Sequence, residues 1–334
     1  MSQNSDIQWT DNTWPPVTGC EFASPGCINC YALKDSWRLS HNPNPKVSEP
    51  YEGTAVKAAN GKLQWSGLVK THPDRLDWPL KWNKPSRIFV CNMADLFHED
   101  VPFAFIDSVF AIMAIAHQHT YQVLTKRSKR IKEYFGDRNR ARWITDAALD
   151  FLRDEKNPLR WKYPVEKFSV RIPLPNVWLG VSVENQKAAD DRIPDLISTP
   201  AAIRFLSCEP LLEAVNLSTW LPIEWSELAE EWIEAWPEKN AYNGMIHQII
   251  IGGESGANAR PCHLDWVRSL VSQCRVAGVP VFVKQLGQNP IDSVPYIEGV
   301  ARNHFHFQLK LKDRKGGDMS EWPEDLRIRR FPVK

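Results

Sequence analysis

Cys20, Cys27 and Cys30 fall within eleven residues, in the run Gly19-Cys20-Glu21-Phe22-Ala23-Ser24-Pro25-Gly26-Cys27-Ile28-Asn29-Cys30-Tyr31. Thiolates are soft ligands, suited to zinc or to iron–sulfur clusters. Cys27 and Cys30 form a C-x-x-C pair able to clasp one corner of a metal site. The Ser24-Pro25-Gly26 turn folds Cys20 back toward them. The pattern predicts a helix from about Tyr31, whose N-terminal dipole would help hold anionic sulfur. A closed structural zinc site usually has four protein ligands, and a closed cluster four cysteines. Three cysteines instead leave one iron of a 4Fe–4S cluster open. The competing reading is a zinc knuckle with His41 or His98 as fourth ligand. A redox C-x-x-C would leave Cys20 without a role.

A second set of candidates sits where apolar runs end. Asp95, Ser182, Glu184, Glu209, Gly252, Gly253 and Glu254 follow such runs and are candidate cofactor-binding residues. Carboxylates there suit ribose hydroxyls, and adjacent glycines permit close backbone approach. A strand-end salt-bridge network, or a plain turn at the glycines, competes with that reading. Lys284 is a candidate catalytic residue, placed to pair with a substrate carboxylate or phosphate or, equally, to neutralise the strand-end glutamates. Cys91, Cys262 and Cys274 read as packing. Between residues 126 and 142, Lys126, Arg127, Lys129, Arg130, Lys132, Arg138, Arg140 and Arg142 stand against Glu133 and Asp137. Tyr134, Phe135 and Trp143 interleave with them, a composition that suits phosphates and bases. A solvated helix face is the alternative.

These residues need a scaffold, and the chain repeats one unit: an apolar run, a polar cluster, then a helical pattern. The runs are Arg87–Cys91, Tyr121–Leu124, Val177–Val181, Ile203–Leu206, Gln248–Ile251 and Val279–Val283, with another strand expected around Ile7–Thr18. Ile106, Val109, Phe110 and Met113 mark one buried helix face, and Val267, Leu270, Val271 and Cys274 another. Asn185 is placed as an N-cap and Gly278 as a C-terminal cap. Near-continuous apolar strands alternating with helices predict an α/β fold with a parallel sheet, a partial or complete (β/α) barrel. Such barrels carry their active sites at the C-terminal strand ends, where the polar clusters gather. No G-x-G-x-x-G follows the first strand, which weighs against a dinucleotide fold. The expected layout is a barrel domain over residues 1–290 with irregular insertions at 41–86, 136–175 and 214–244. A polar C-terminal extension, 291–334, would pack on it.

Composition narrows the classes. A net charge of +1 in 334 residues makes the chain no polycation, so nucleic acid would need a local patch. No run approaches the roughly 18 apolar residues of a membrane span, and the first residues lack a signal-peptide layout. The chain therefore reads as cytoplasmic, where seven cysteines are not expected to form disulfides. The fifteen tryptophans are expected mainly as packing under long loops.

Five segments occur in order: Ile7-Gln8-Trp9-Thr10 with Trp14, the Gly19–Ala32 cysteine loop, Met93-Ala94-Asp95-Leu96-Phe97-His98, Trp178-Leu179-Gly180-Val181-Ser182, and Gly252-Gly253-Glu254-Ser255-Gly256. Together they resemble the phage-associated three-Cys-motif family of radical S-adenosylmethionine-like proteins, over about residues 6–290. The resemblance implies a 4Fe–4S cluster on Cys20, Cys27 and Cys30, with S-adenosylmethionine at the open iron. It implies generation of a 5′-deoxyadenosyl radical, an electron donor such as flavodoxin or ferredoxin, and the cytoplasm of a host cell if phage-encoded. Cys208 becomes a candidate catalytic residue, giving a hydrogen atom to a substrate radical. The expected substrate is a nucleobase in nucleic acid or a nucleotide. The alternatives are a peptide or small metabolite, or a non-enzymatic zinc- or cluster-stabilised binding protein. Two features depart from the wider superfamily. The spacing is C-x6-C-x2-C instead of C-x3-C-x2-C, and Gly-Gly-Glu comes late, at Gly252–Glu254, where strand two carries Asn92-Met93-Ala94-Asp95.

Overall fold

The structure is a computed structural model describing residues 5–155, 168–221, 246–293 and 306–332. Seven strands form one parallel sheet: β1 (Asn12–Trp14), β2 (Arg87–Val90), β3 (Thr120–Thr125), β4 (Val177–Ser182), β5 (Ile203–Cys208), β6 (Gln248–Gly252) and β7 (Val281–Gln285), in that order. Both faces are covered, so the strands carry apolar residues in continuous runs rather than in alternation. Every residue of β4 and β6 is buried. The sheet is open, with β1 and β7 at its ends, as in a partial (β/α) barrel.

Among the described residues six helices of nine residues or more accompany it: α1 (Tyr31–Ser40), α2 (Phe103–Ile115), α3 (Ser128–Gly136), α4 (Arg140–Arg153), α5 (Gln186–Ile197) and α6 (Leu264–Val276). The expected core faces are buried, with Ile106, Val109, Phe110 and Met113 on α2 and Val267, Leu270, Val271 and Cys274 on α6. Asn185 Oδ1 accepts the Ala188 N–H at 2.8 Å and so caps α5. Gly278, at φ +64°, takes the left-handed turn that ends the α6 segment.

The chain groups into two compact units. The first comprises Met1–Val181 and Ser198–Ile203, the second Ser182–Ile197 and Arg204–Lys334. In the first, β1 is shorter than the expected Ile7–Thr18. Pro15 and Pro16 lack the N–H a ladder needs, and Val17–Thr18 pairs instead, antiparallel, with Lys70–Thr71. The 41–86 insertion holds that strand and a small hairpin, Ala55–Lys57 with Leu63–Trp65. In the second unit, the C-terminal segment pairs along β7. Val283 N–H donates to Ile328 O at 2.8 Å and Arg330 N–H to Val281 O at 2.9 Å. This covers backbone groups that an exposed edge would leave unpaired. Of the other expected insertions, α4 lies in 136–175, residues 156–167 lie outside the described set, and so does most of 214–244.

No helix among the described residues is long and apolar enough to cross a membrane. Among the described residues Trp9, Trp14, Trp82, Trp178 and Trp322 are buried, while Trp143 is exposed.

Candidate functional site

In the first unit the chain leaves β1, passes Val17–Thr18 and turns at Gly19, which bridges to Ala94 beyond the end of β2. Gly19 has φ +85°, and a Cβ there would lie 2.1 Å from Leu68 O. Only glycine fits this start of the cysteine loop. A 3-10 turn at Pro25–Cys27 follows, with Cys27 N–H donating to Ser24 O at 2.8 Å. Cys30 is the N-cap residue of α1, so the helix starts at Tyr31 as expected. The Tyr31 hydroxyl donates to Asn92 O, a second link between this loop and the turn after β2.

All seven cysteines are free thiols. Burial pushes Cys20 up to about 12, with the Asp95 charge adding to the shift and Arg127 opposing it. Burial also raises Cys30, while the Ala32 and Leu33 amides at the start of α1 oppose that rise. These amides and Arg127 are what would favour thiolate once a metal displaces the protons. Among the described residues, three potential ligand atoms all lie within 4.8 Å of one another at Glu21, His98 and Glu99.

The two carboxylates of that trio already hold a cation. Arg127 is buried, with Nη2 3.1 Å from Glu21 Oε1, Nε 2.7 Å from Glu99 Oε2, and Nη1 3.1 Å from Asp95 Oδ2. Burial opposes its charge, but Asp95 and Glu99 hold its pKa above the usual arginine value. Asp95 is also filled: Thr125 Oγ1 (2.7 Å) and Phe97 N–H (3.0 Å) donate to Oδ1, and Lys126 N–H (3.1 Å) donates to Oδ2. His98 accepts the Asp100 N–H on Nδ1 at 3.2 Å. Its ring proton then sits on Nε2, which has no lone pair left for a metal. His41 stacks on Trp37 at 4.1 Å, with Nδ1 2.8 Å from Trp37 O.

The second unit carries the other strand-end candidates. Glu184 is fully buried against Arg192, whose Nη1 lies 2.8 Å from Oε2. Glu254 accepts from both the backbone and the guanidinium of Arg260. Glu209 and Lys284 pair at 2.6 Å, and both side chains keep some exposure, 17% and 14%. A Cβ on Gly252 would lie 3.1 Å from the Glu209 carboxyl carbon, so the glycine makes room for that side chain. A Cβ on Gly253 would lie 2.2 Å from Leu286 O, so this glycine permits a backbone crossing. Ser182 and Cys208 are buried, and burial raises the Cys208 thiol strongly.

Sequence reasoning missed the Glu21–Arg127 link and the internal role of the basic segment. Arg140 donates to Asp107 at 2.8 and 3.0 Å inside the fold. Arg130 donates to Val101 O at 2.7 Å and lies over Phe103. Arg127 follows β3 and Asp95 follows the neighbouring β2, so adjacent strand ends were the available signal.

The family described as protein of unknown function (DUF5131) matches residues 4–319. The chain belongs to that family. The DUF5131 match takes in the cysteine loop, Asp95, Arg127, Glu209 and Lys284. No curated protein and no solved structure matches the chain.

Proposed function

We propose that this chain is a radical S-adenosylmethionine enzyme whose 4Fe–4S cluster is held by Cys20, Cys27 and Cys30. The observation that carries this reading is the three-thiol loop after β1, braced at Gly19, Glu21 and Tyr31 and ending at the amides of α1. The tautomer of His98 and the contact of His41 with Trp37 weigh against a zinc knuckle.

The chemistry such a cluster supplies, with S-adenosylmethionine at its open iron, is one-electron cleavage of the sulfonium to methionine and a 5′-deoxyadenosyl radical. The protein's own part is to hold the loop, exclude water and place polar contacts. Asp95, Glu184 and Glu254 have arginine partners and serve to brace the strand ends. Glu209 and Lys284 likewise pair with each other in the second unit, at 2.6 Å. For the substrate we favour a nucleobase or nucleotide, drawn by the exposed Lys129, Lys132 and Arg138. The deciding assay gives S-adenosylmethionine to the reconstituted, reduced protein. It should yield 5′-deoxyadenosine and methionine, and Cys27→Ser should yield neither. An iron-loaded wild type that leaves the cofactor intact would overturn the reading.

A further inference from the structure

We propose that Arg127 is a positioning residue for the cysteine loop: through Glu21 it fixes the loop to the end of β3, and its charge sets the reduction potential of the group that the loop holds. The redox part rests on the cluster reading above. The anchoring part does not.

Glu21 follows Cys20 directly in the chain. Its carboxylate is half exposed, whereas the arginine it meets is 7% exposed and held by Asp95 and Glu99. Asp95 is fixed in turn by Thr125 and by the Phe97 and Lys126 amides. The loop is therefore tied to an immobile cation with a planar fork, not to a flexible surface charge. An exposed ion pair is worth little, because two long side chains must be ordered to make it. Here one partner is already ordered, and only Glu21 has to be fixed.

The same guanidinium lies 3.1 Å from the carboxylate of the residue that follows Cys20, so both charges stand beside the first cysteine of the loop. A cation fixed near a group that gains an electron favours the reduced, more negative form. A carboxylate at the same place favours the oxidised form. Arg127 and Glu21 therefore act on the potential in opposite directions, although both belong to one anchor. A purely structural role would move both variants the same way.

The test uses the full chain with three variants, Glu21→Gln, Arg127→Lys and Arg127→Gln, and two readouts. Hydrogen exchange on the protein as purified, without iron, reads the anchor. Amides of residues 19–30 should exchange several-fold faster in Glu21→Gln than in wild type, with the sheet unchanged. Equal rates would overturn the anchoring. Potentiometric titration of the reconstituted protein reads the charge. Arg127→Gln should lower the reduced fraction about tenfold at fixed potential, roughly 59 mV for one electron. Glu21→Gln should raise it, and Arg127→Lys should stay near wild type. If Arg127→Gln does not fold, a raised reduced fraction in Glu21→Gln beside an unshifted Arg127→Lys decides. Shifts of one sign, or none, would overturn the redox part. A wild type that takes up no iron would sink the cluster reading and the redox part with it, while hydrogen exchange would still decide the anchor.

Discussion

Glu184 and Arg192 face each other inside the second unit, with Oε2 2.8 Å from Nη1 and the carboxylate fully shielded from solvent. Arg192 also donates to Ser182 O at 2.7 Å, so one guanidinium ties the end of β4 to α5. A carboxylate that reads as a ligand contact in the sequence is here a brace.

Removing one partner leaves the other charge buried. Glu184→Gln is expected to cost about 3–5 kcal/mol of stability. Replacing both, as Glu184→Met with Arg192→Leu, should recover most of that loss. Urea unfolding of the single and double variants measures it. A single variant as stable as wild type would show that solvent reaches the pair.

His72 gives a pH dependence. Burial, with Arg75 adding, lowers its pKa from 6.5 to about 4. Thr18 Oγ1 spends its one proton on Pro50 O, so His72 Nε2 donates to Thr18 at 2.8 Å. Between pH 6.5 and about 4 the unfolded chain takes up a proton that the folded chain does not. Stability should therefore fall as pH drops through this window, and the contribution should level off below it. His72→Gln should flatten that part of the profile. Identical pH–stability curves for the two proteins would contradict the assignment.

Gly19 and Gly61 share a left-handed backbone, at φ +85° and +77°, but differ in space. A Cβ on Gly19 would meet Leu68 O at 2.1 Å, whereas Gly61 is open. Gly61→Ala should cost about 1 kcal/mol from backbone strain alone. Gly19→Ala should cost more and release bound iron faster, because the cysteine loop begins there. Equal losses in thermal unfolding and iron retention would remove Gly19 from the account.

The basic segment provides a test of substrate class. Arg127 and Arg140 are committed inside the fold, while Lys129, Lys132 and Arg138 are exposed. Replacing these three with Ala should weaken binding of single-stranded DNA and reduce the salt slope by about 2. Anisotropy titrations at two salt concentrations measure both. If wild type shows no binding at low salt, the substrate is a small molecule or a peptide.

The parallel sheet was legible because both faces of its strands are buried, which leaves runs such as Val177–Val181 and Gln248–Ile251 nearly free of charge. The helix caps were legible for a local reason: Asn185 and Gly278 act on backbone within a few residues. Charge pairing was not. Asp95 and Arg127 stand 32 positions apart and meet only because β2 and β3 are neighbours. Eight cations within residues 126–142 therefore read as a surface, although Arg127 and Arg140 are buried and paired. The cysteine loop was visible because its cysteines, turn and helix start are all local. Its tether to Arg127 crosses 106 positions and was invisible.

The central claim is that Cys20, Cys27 and Cys30 hold a 4Fe–4S cluster, and metal analysis after anaerobic reconstitution tests it most directly. Wild type should bind about four irons with matching sulfide and absorb near 400 nm, and Cys27→Ser should lose both. Stoichiometric, tightly bound zinc with no uptake of iron would contradict it.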